Sequence, residues 1–215
     1  MAEKNKEKVC FIVGAGNMYG NICPDKEDIV IAADGGYRHL EKLGITPDIT
    51  IGDFDSLNGT PQRSKNTITL PKEKDDTDTL AAVRTGLEKG FSLFHIYGGT
   101  GGRSDHTVAN IQTLSFICSH KASGFLFGEN EVFTVIDSEI GFESIPCGYI
   151  SVFALGKAEG VTISGLKYSA ENVSLDDCFP LGTSNEFIGK ESKISVKEGR
   201  LLIVFPCKYY SKIIW

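Results

Sequence analysis

Two aspartates separated by one residue, in Gly52-Asp-Phe-Asp-Ser56, directly follow the apolar run 49–51. On an extended backbone side chains alternate with period two, so Asp53 and Asp55 project from one face. Like charges about 4 Å apart repel by roughly 4 kcal/mol at an effective dielectric of about 20. Two ionised carboxylates there require a cation or a shared proton, and a divalent metal is the simpler answer. Asp34 ends the preceding apolar run, and Asp75-Asp-Thr-Asp78 stands at the front of a helix-period segment, adding carboxylates at the same edge. Mg2+ takes oxygen ligands and is commonly held by one or two carboxylates plus substrate phosphates, which suits aspartates spread over three corners. Any one of them could instead cap a helix or tighten a turn, and Asp76 reads as a solvated neighbour.

A second feature with chemistry in it is Gly98-Gly-Thr-Gly-Gly-Arg-Ser-Asp-His106. Its glycines, Gly101 and Gly102 among them, let backbone N–H groups approach an anion at the start of a helix. Arg103 beside them offers a planar guanidinium that can fork onto a phosphate, with a surface arginine as the bland alternative. His106 could touch phosphate or base, or pair with Asp105 or backbone. His39, His95 and His120 show no partner spacing, and Lys72 and Lys74 read as a solvated turn. The G-x-x-x-x-G-K-[ST] pattern is absent, and Gly14-Ala-Gly-Asn-Met-Tyr-Gly20 has the wrong spacing for G-x-G-x-x-G.

These corners need strands and helices to hold them. Val9–Val13, Ile29–Ala33, 49–51 and 91–97 are β-branched or aromatic runs, each ending at a Gly- or Asp-rich corner, which is α/β grammar. Leu80, Val83 and Leu87 mark one helix face; Val108, Ile111, Leu114 and Cys118 mark another, with Ser104 or Asp105 as its cap. After residue 137 only short strand-like runs remain, at 149–155, 160–164, 194–196 and 201–205, and Lys197-Glu-Gly-Arg200 reads as a hairpin corner. The expected fold is therefore an α/β domain with a mostly parallel sheet over residues 1–137. An all-β antiparallel sandwich domain follows over 138–215.

Composition narrows the class. The 215 residues carry 22 Lys plus Arg against 28 Asp plus Glu, a net charge of −6, and nothing forms a basic stripe, so no nucleic-acid partner is expected. No apolar run approaches a bilayer span and the first eight residues are mostly charged, so no membrane partner and a cytoplasmic location are expected. Six scattered cysteines without C-x-x-C encode neither a zinc nor a redox motif.

Taken in order, Asp34-Gly-Gly36, Gly52-Asp-Phe-Asp-Ser56, Asp75-x-x-Asp78-Thr, Gly101-Gly-Arg-x-Asp-His106 and Asn110 resemble the thiamine pyrophosphokinase family. Gly160-Val-Thr-Ile-Ser-Gly-Leu-Lys-Tyr168 is similar to that family's G-x-T-x-x-G-L-x-W/Y segment, and Gly182-Thr-Ser-Asn185 to its S-N signature. The resemblance implies transfer of pyrophosphate from ATP to thiamine, with Mg2+ as cofactor and AMP as second product. It implies a homodimer with thiamine bound between subunits. It assigns catalysis to Asp53, Asp55, Asp78 and Arg103, and metal binding to the three aspartates. Nucleotide binding falls to Asp34, Gly35, Gly36, Asp75, Thr77, Gly101, Gly102, Asp105 and His106, and thiamine to Ser184 and Asn185. The chain's only tryptophan is Trp215, so Tyr168 stands as the aromatic candidate beside the thiamine rings. Either Asp78 or Asp53 could accept the alcohol proton. Three alternatives stay open: pyrophosphorylation of another alcohol such as a hydroxymethylpterin, a Mg2+-dependent phosphohydrolase, and a nucleotide-sensing module without turnover.

Overall fold

The computed structural model describes residues 7–53, 64–70 and 75–215. The chain begins with β1 (Val9–Val13), β2 (Ile29–Ala33), α1 (Gly36–Lys42), β3 (Ile49–Gly52) and β4 (Asn66–Thr69). It continues with α2 (Asp78–Glu88), β5 (Leu93–Tyr97), α3 (Ser104–Ser119), β6 (Ser123–Phe127) and β7 (Glu131–Ile136). Then come β8 (Glu139–Ile145), β9 (Tyr149–Ala154), β10 (Ala158–Ser164), β11 (Ala170–Leu175), β12 (Asn185–Glu186), β13 (Lys190–Ser195) and β14 (Leu201–Pro206). A 3-10 turn, Cys207–Lys212, leads into β15 (Ile213–Ile214).

One sheet has ten strands in the order β12-β9-β14-β7-β6-β5-β1-β2-β3-β4. Its six strands from β6 to β4 run parallel, and the four from β7 to β12 are antiparallel. A second, antiparallel sheet has the order β11-β10-β13-β8-β15. The expected change of grammar near residue 137 falls at the turn from β7 to β8, where the chain leaves the large sheet for the small one. It returns through β9, β12 and β14, so the sandwich borrows part of the large sheet as one of its layers.

All five residues of β1 are buried, as a parallel strand covered on both faces requires. Cys10 and Ile12 face a core that includes Ile31, Ile51, Ala82, Val83, Phe94, Leu114 and Ile117, under α2 and α3. Val9, Phe11 and Val13 face the opposite core, which runs past Tyr37 and Leu40 of α1 into Phe142, Ile163, Ile203 and Phe205 of the sandwich. Period-two alternation thus assigns each residue of one strand to one of two cores. Among the described residues no helix is long and apolar enough to cross a membrane.

Three local expectations are corrected. Val108 is exposed, and α3 turns Asn110, Thr113, Leu114, Ile117 and Cys118 inward, a face displaced from the purely apolar one because two polar residues bond within it. The cap of α3 is Arg103, with Ser104 and Asp105 already inside the first turn. Lys197–Arg200 is not a hairpin corner, since β13 and β14 belong to different sheets and the segment carries the chain between layers.

Candidate active site

The chain starts mid-sheet at β1, steps outward through β2, β3 and β4, then returns to place β5 on the other side of β1. The strand order therefore reverses between β1 and β5, the position at which open α/β sheets form a crevice beyond their carboxyl ends. A cleft of about 290 Å³ lies there, lined by Gly16, Asp34, Thr79, Gly98–Gly99, Thr100, Gly102, Arg103, His106 and Asn110. Of the residues singled out from sequence, Asp34, Gly102, Arg103, His106 and Asn110 line it directly. Thr79 and Thr100, which fall inside the quoted motifs but were given no role, line it too. The Thr100 hydroxyl is buried and has no hydrogen-bond partner among the described residues, so the wall presents an unsatisfied polar atom.

Asp34 sits at the end of β2 with φ of 47°, a left-handed conformation that only Gly, Asn and Asp adopt at modest cost. Its N–H donates to the Ile51 carbonyl at 2.7 Å, binding the β2 corner to the β3 corner that carries half-buried Asp53. Gly35 caps α1, and Gly36 opens it so close to β1 that a Cβ would stand 1.8 Å from the Val13 carbonyl oxygen. Thr77 caps α2, accepting the Leu80 N–H at 3.2 Å, and Asp78 begins the helix, which packs against β1, β2 and β3. Asp75 is exposed. Asp76 is not simply solvated: its carboxylate takes Arg84 Nε at 2.8 Å, and that guanidinium lies 4.6 Å over the Phe116 ring, tying α2 to α3. Asp55 lies outside the described residues, as do Lys72 and Lys74.

Arg103 forks onto Asp105 through Nε at 3.1 Å and Nη2 at 2.5 Å, and Asp105 also accepts the His106 N–H at 3.0 Å. The guanidinium beside it holds the Asp105 carboxyl below the ordinary carboxylate range, while the same bond raises Arg103. Both side chains are exposed, so the pair adds little stability. The pair leaves the guanidinium oriented at the helix start, in the lining of the cleft.

Oxygen donors for a hard dication are present in Asp34, Asp53 and Asp78, from three adjacent corners. They do not form a closed trio: among the described residues the three-group cluster within 4.8 Å is Asp176, Asp177 and Cys178, exposed in the connection from β11 to β12. An open set of carboxylates fits an ion whose remaining ligands are water and phosphate.

A second cleft, of about 570 Å³, is lined by Ile163, Tyr168, Val173, Leu175, Leu181, Ser184 and Asn185. Its lining mixes aliphatic side chains with the polar Ser184 and Asn185. Ser184 has φ of 58° and donates its N–H to Ser151 Oγ at 3.0 Å. Buried Asn185 accepts the Tyr168 N–H at 2.9 Å and donates to the Tyr168 carbonyl at 2.7 Å, so its carboxamide supports the segment that presents the exposed Tyr168 ring.

Residues 23–124 match the family model for the thiamin pyrophosphokinase catalytic domain, and residues 137–201 match that for the thiamin pyrophosphokinase vitamin B1 binding domain. The chain belongs to the thiamin pyrophosphokinase family. It is 30% identical over 197 residues to the thiamine pyrophosphokinase of Bacillus subtilis, covering 84% of this chain and 88% of that one. Thiamin pyrophosphokinase 1 of Caenorhabditis elegans is 29% identical over 189 residues, or 80% and 76% of the two chains. The crystal structure of the Bacillus subtilis protein superposes with a TM-score of 0.82 at 27% identity, covering 93% of this chain and 99% of that one. The family's catalytic-domain match spans most of the first cleft, and its vitamin-binding match spans the second.

Proposed function

We propose that the protein is a thiamine pyrophosphokinase, transferring the pyrophosphoryl group of ATP to the hydroxyethyl oxygen of thiamine and releasing AMP. The reading rests on one observation above the others: both family domains match in order, and each contains a cleft of the chemistry its half requires. A polar, glycine-walled crevice with an arginine at its lip suits a triphosphate. A largely aliphatic cleft with an exposed tyrosine suits a flat heteroaromatic ring.

Residues 1–137 form the nucleotide-handling part in this reading and 138–215 the thiamine-binding part. Asp53, Asp55 and Asp78 would hold Mg2+, which when bound supplies charge neutralisation at the phosphates. Asp34, Asp75, Gly101, Gly102, Asp105 and His106 surround the nucleotide, and Gly35, Gly36 and Thr77 set the backbone corners. Arg103 exchanges its Asp105 partner for phosphate oxygens. Asp78 or Asp53 receives the alcohol proton as the oxygen attacks the β-phosphorus and AMP departs. Ser184 faces thiamine, and Asn185 holds the adjoining Tyr168. The enzyme acts in the cytoplasm as a homodimer in which the second cleft of one subunit completes the first cleft of the other.

Incubation with ATP, Mg2+ and thiamine tests the reading. Equal amounts of AMP and thiamine diphosphate are expected. Release of ADP would overturn the reaction type, phosphate release without an acceptor would indicate hydrolysis, and turnover only with a hydroxymethylpterin would replace the acceptor.

A further inference from the structure

The glycine strip beside the first cleft is held by a set of hydrogen bonds that reach it from outside. Five consecutive carbonyls, from Tyr97 to Gly101, each accept one. Gly14 N–H donates to Tyr97 at 2.8 Å, Gly16 N–H to Gly98 at 2.7 Å, and Asn17 N–H to Thr100 at 3.0 Å. Asn110 Nδ2 donates to Gly99 at 2.9 Å, and Asn17 Nδ2 donates to Gly101 at 2.9 Å.

A trans peptide sets its carbonyl and the following N–H on opposite sides of one rigid plane. Every peptide bond described is trans, so pinning these five carbonyls also fixes the direction of the N–H groups of residues 98–102. That strip forms one wall of the cleft. Asn17 alone secures the last two planes, one through its backbone and one through its side chain. Its own peptide is anchored at the other end, because His39 Nε2 lies 2.8 Å from the Gly16 carbonyl and must donate to it. Tyr19 closes the corner: its hydroxyl accepts from Asn17 Nδ2 at 3.1 Å and would stand 2.4 Å from a Cβ at Gly101, whose φ is 75°.

From this geometry we infer that Asn17 is a positioning residue for the phosphate oxygens of the nucleotide: its carboxamide orients the Gly101–Gly102 peptide at the cleft wall. The inference rests on the nucleotide reading of that cleft. Donors oriented before the ligand arrives need no reorganisation when it binds, which is where a preorganised wall gains over a mobile one. Losing the Nδ2 bond frees the Gly101 carbonyl to turn and carries the Gly102 N–H with it.

Asn17→Leu keeps volume and neutrality while deleting the donor, and Asn17→Ser retains a short donor should the first variant fold poorly. KM for ATP is expected to rise about tenfold in Asn17→Leu and less in Asn17→Ser. KM for thiamine should stay within twofold of wild type, with little change in melting temperature. An unchanged KM for ATP in both variants would overturn the inference, as would a uniform loss of activity that follows melting temperature. Calorimetry of wild-type protein with a non-hydrolysable ATP analogue separates the two levels. If wild type binds and the variants bind equally well, the role of Asn17 fails; if wild type does not bind, the nucleotide reading itself fails.

Discussion

A histidine deep beside a parallel sheet must remain neutral or carry a partner, and His95 illustrates the cost. Its ring lies among Phe11, Phe125, Phe127 and Tyr210, with centroids between 5.1 and 6.1 Å away, and Nε2 is 2.5 Å from Tyr210 Oη. Burial pushes its pKa down to about 4, against a smaller upward pull from Asp28. The unfolded chain therefore binds a proton near pH 6.5 that the folded chain refuses until about pH 4. Stability is fully present above pH 6.5 and falls as pH drops through that window, by on the order of 3 kcal/mol. Urea unfolding at several pH values checks this, and His95→Gln should flatten the slope at the expense of stability near pH 8. Nothing in the sequence announced the pair, since Tyr210 lies 115 residues away. The aspartates stood out more in the sequence, because Asp34 and Asp53 directly follow apolar runs and Asp78 opens a helix-period segment. Replacing Asp53 with Asn should lower turnover at least a hundredfold while leaving the melting temperature nearly unchanged. Turnover at saturating Mg2+ would check it.

At the scale of elements, β1, β2, β3 and β5 were readable to within a residue or two, because strands buried on both faces are uninterrupted apolar runs, whereas exposed β4, and β6 and β7, were not singled out. β12 and β15, with two residues each, leave no periodicity to read, and they form by docking on β9 and β8. The face of α3 was misread because Asn110 and Thr113 spend their polar groups inside the structure, on the Gly99 and Ala109 carbonyls. Helix α1 was missed for a different reason: Asp34, Gly35 and Gly36 look like turn residues, and the helix exists because its start packs directly on the end of β1. Gly36→Ala would place a methyl group 1.8 Å from the Val13 oxygen, and α1 would have to retreat from the sheet. A loss of about 3 kcal/mol or more is expected, visible as a lower urea midpoint. Gly44→Ala, where nothing stands within 4 Å of the added atom but φ is 70°, should cost less.

For the whole molecule, the two clefts raise the question of how one reaction uses both. If the vitamin cleft of one subunit completes the nucleotide cleft of another, inactive chains damaged at different clefts should rescue each other. Asp53→Asn mixed with Leu181→Asp, dissociated and reassociated at equal concentration, should recover about a quarter of wild-type activity, because half of the random dimers carry one intact composite site. Absence of recovery, with dimers confirmed by light scattering, would assign each site to a single subunit. The proposed division of labour follows the order of the motifs. The shared architecture was not legible, since pairing between β14 and β7 joins residues 65 to 75 positions apart and depends on packing that no local pattern records.

That pairing also restricts what a lineage can recombine. β7 keeps its outer edge covered only through β14, near the end of the chain, and β14 in turn supports β9. A gene cut at the obvious seam after Ile136 would yield a front piece with a bare hydrophobic border, prone to clump rather than to fold. The front and back of the chain are therefore expected to fold together rather than apart.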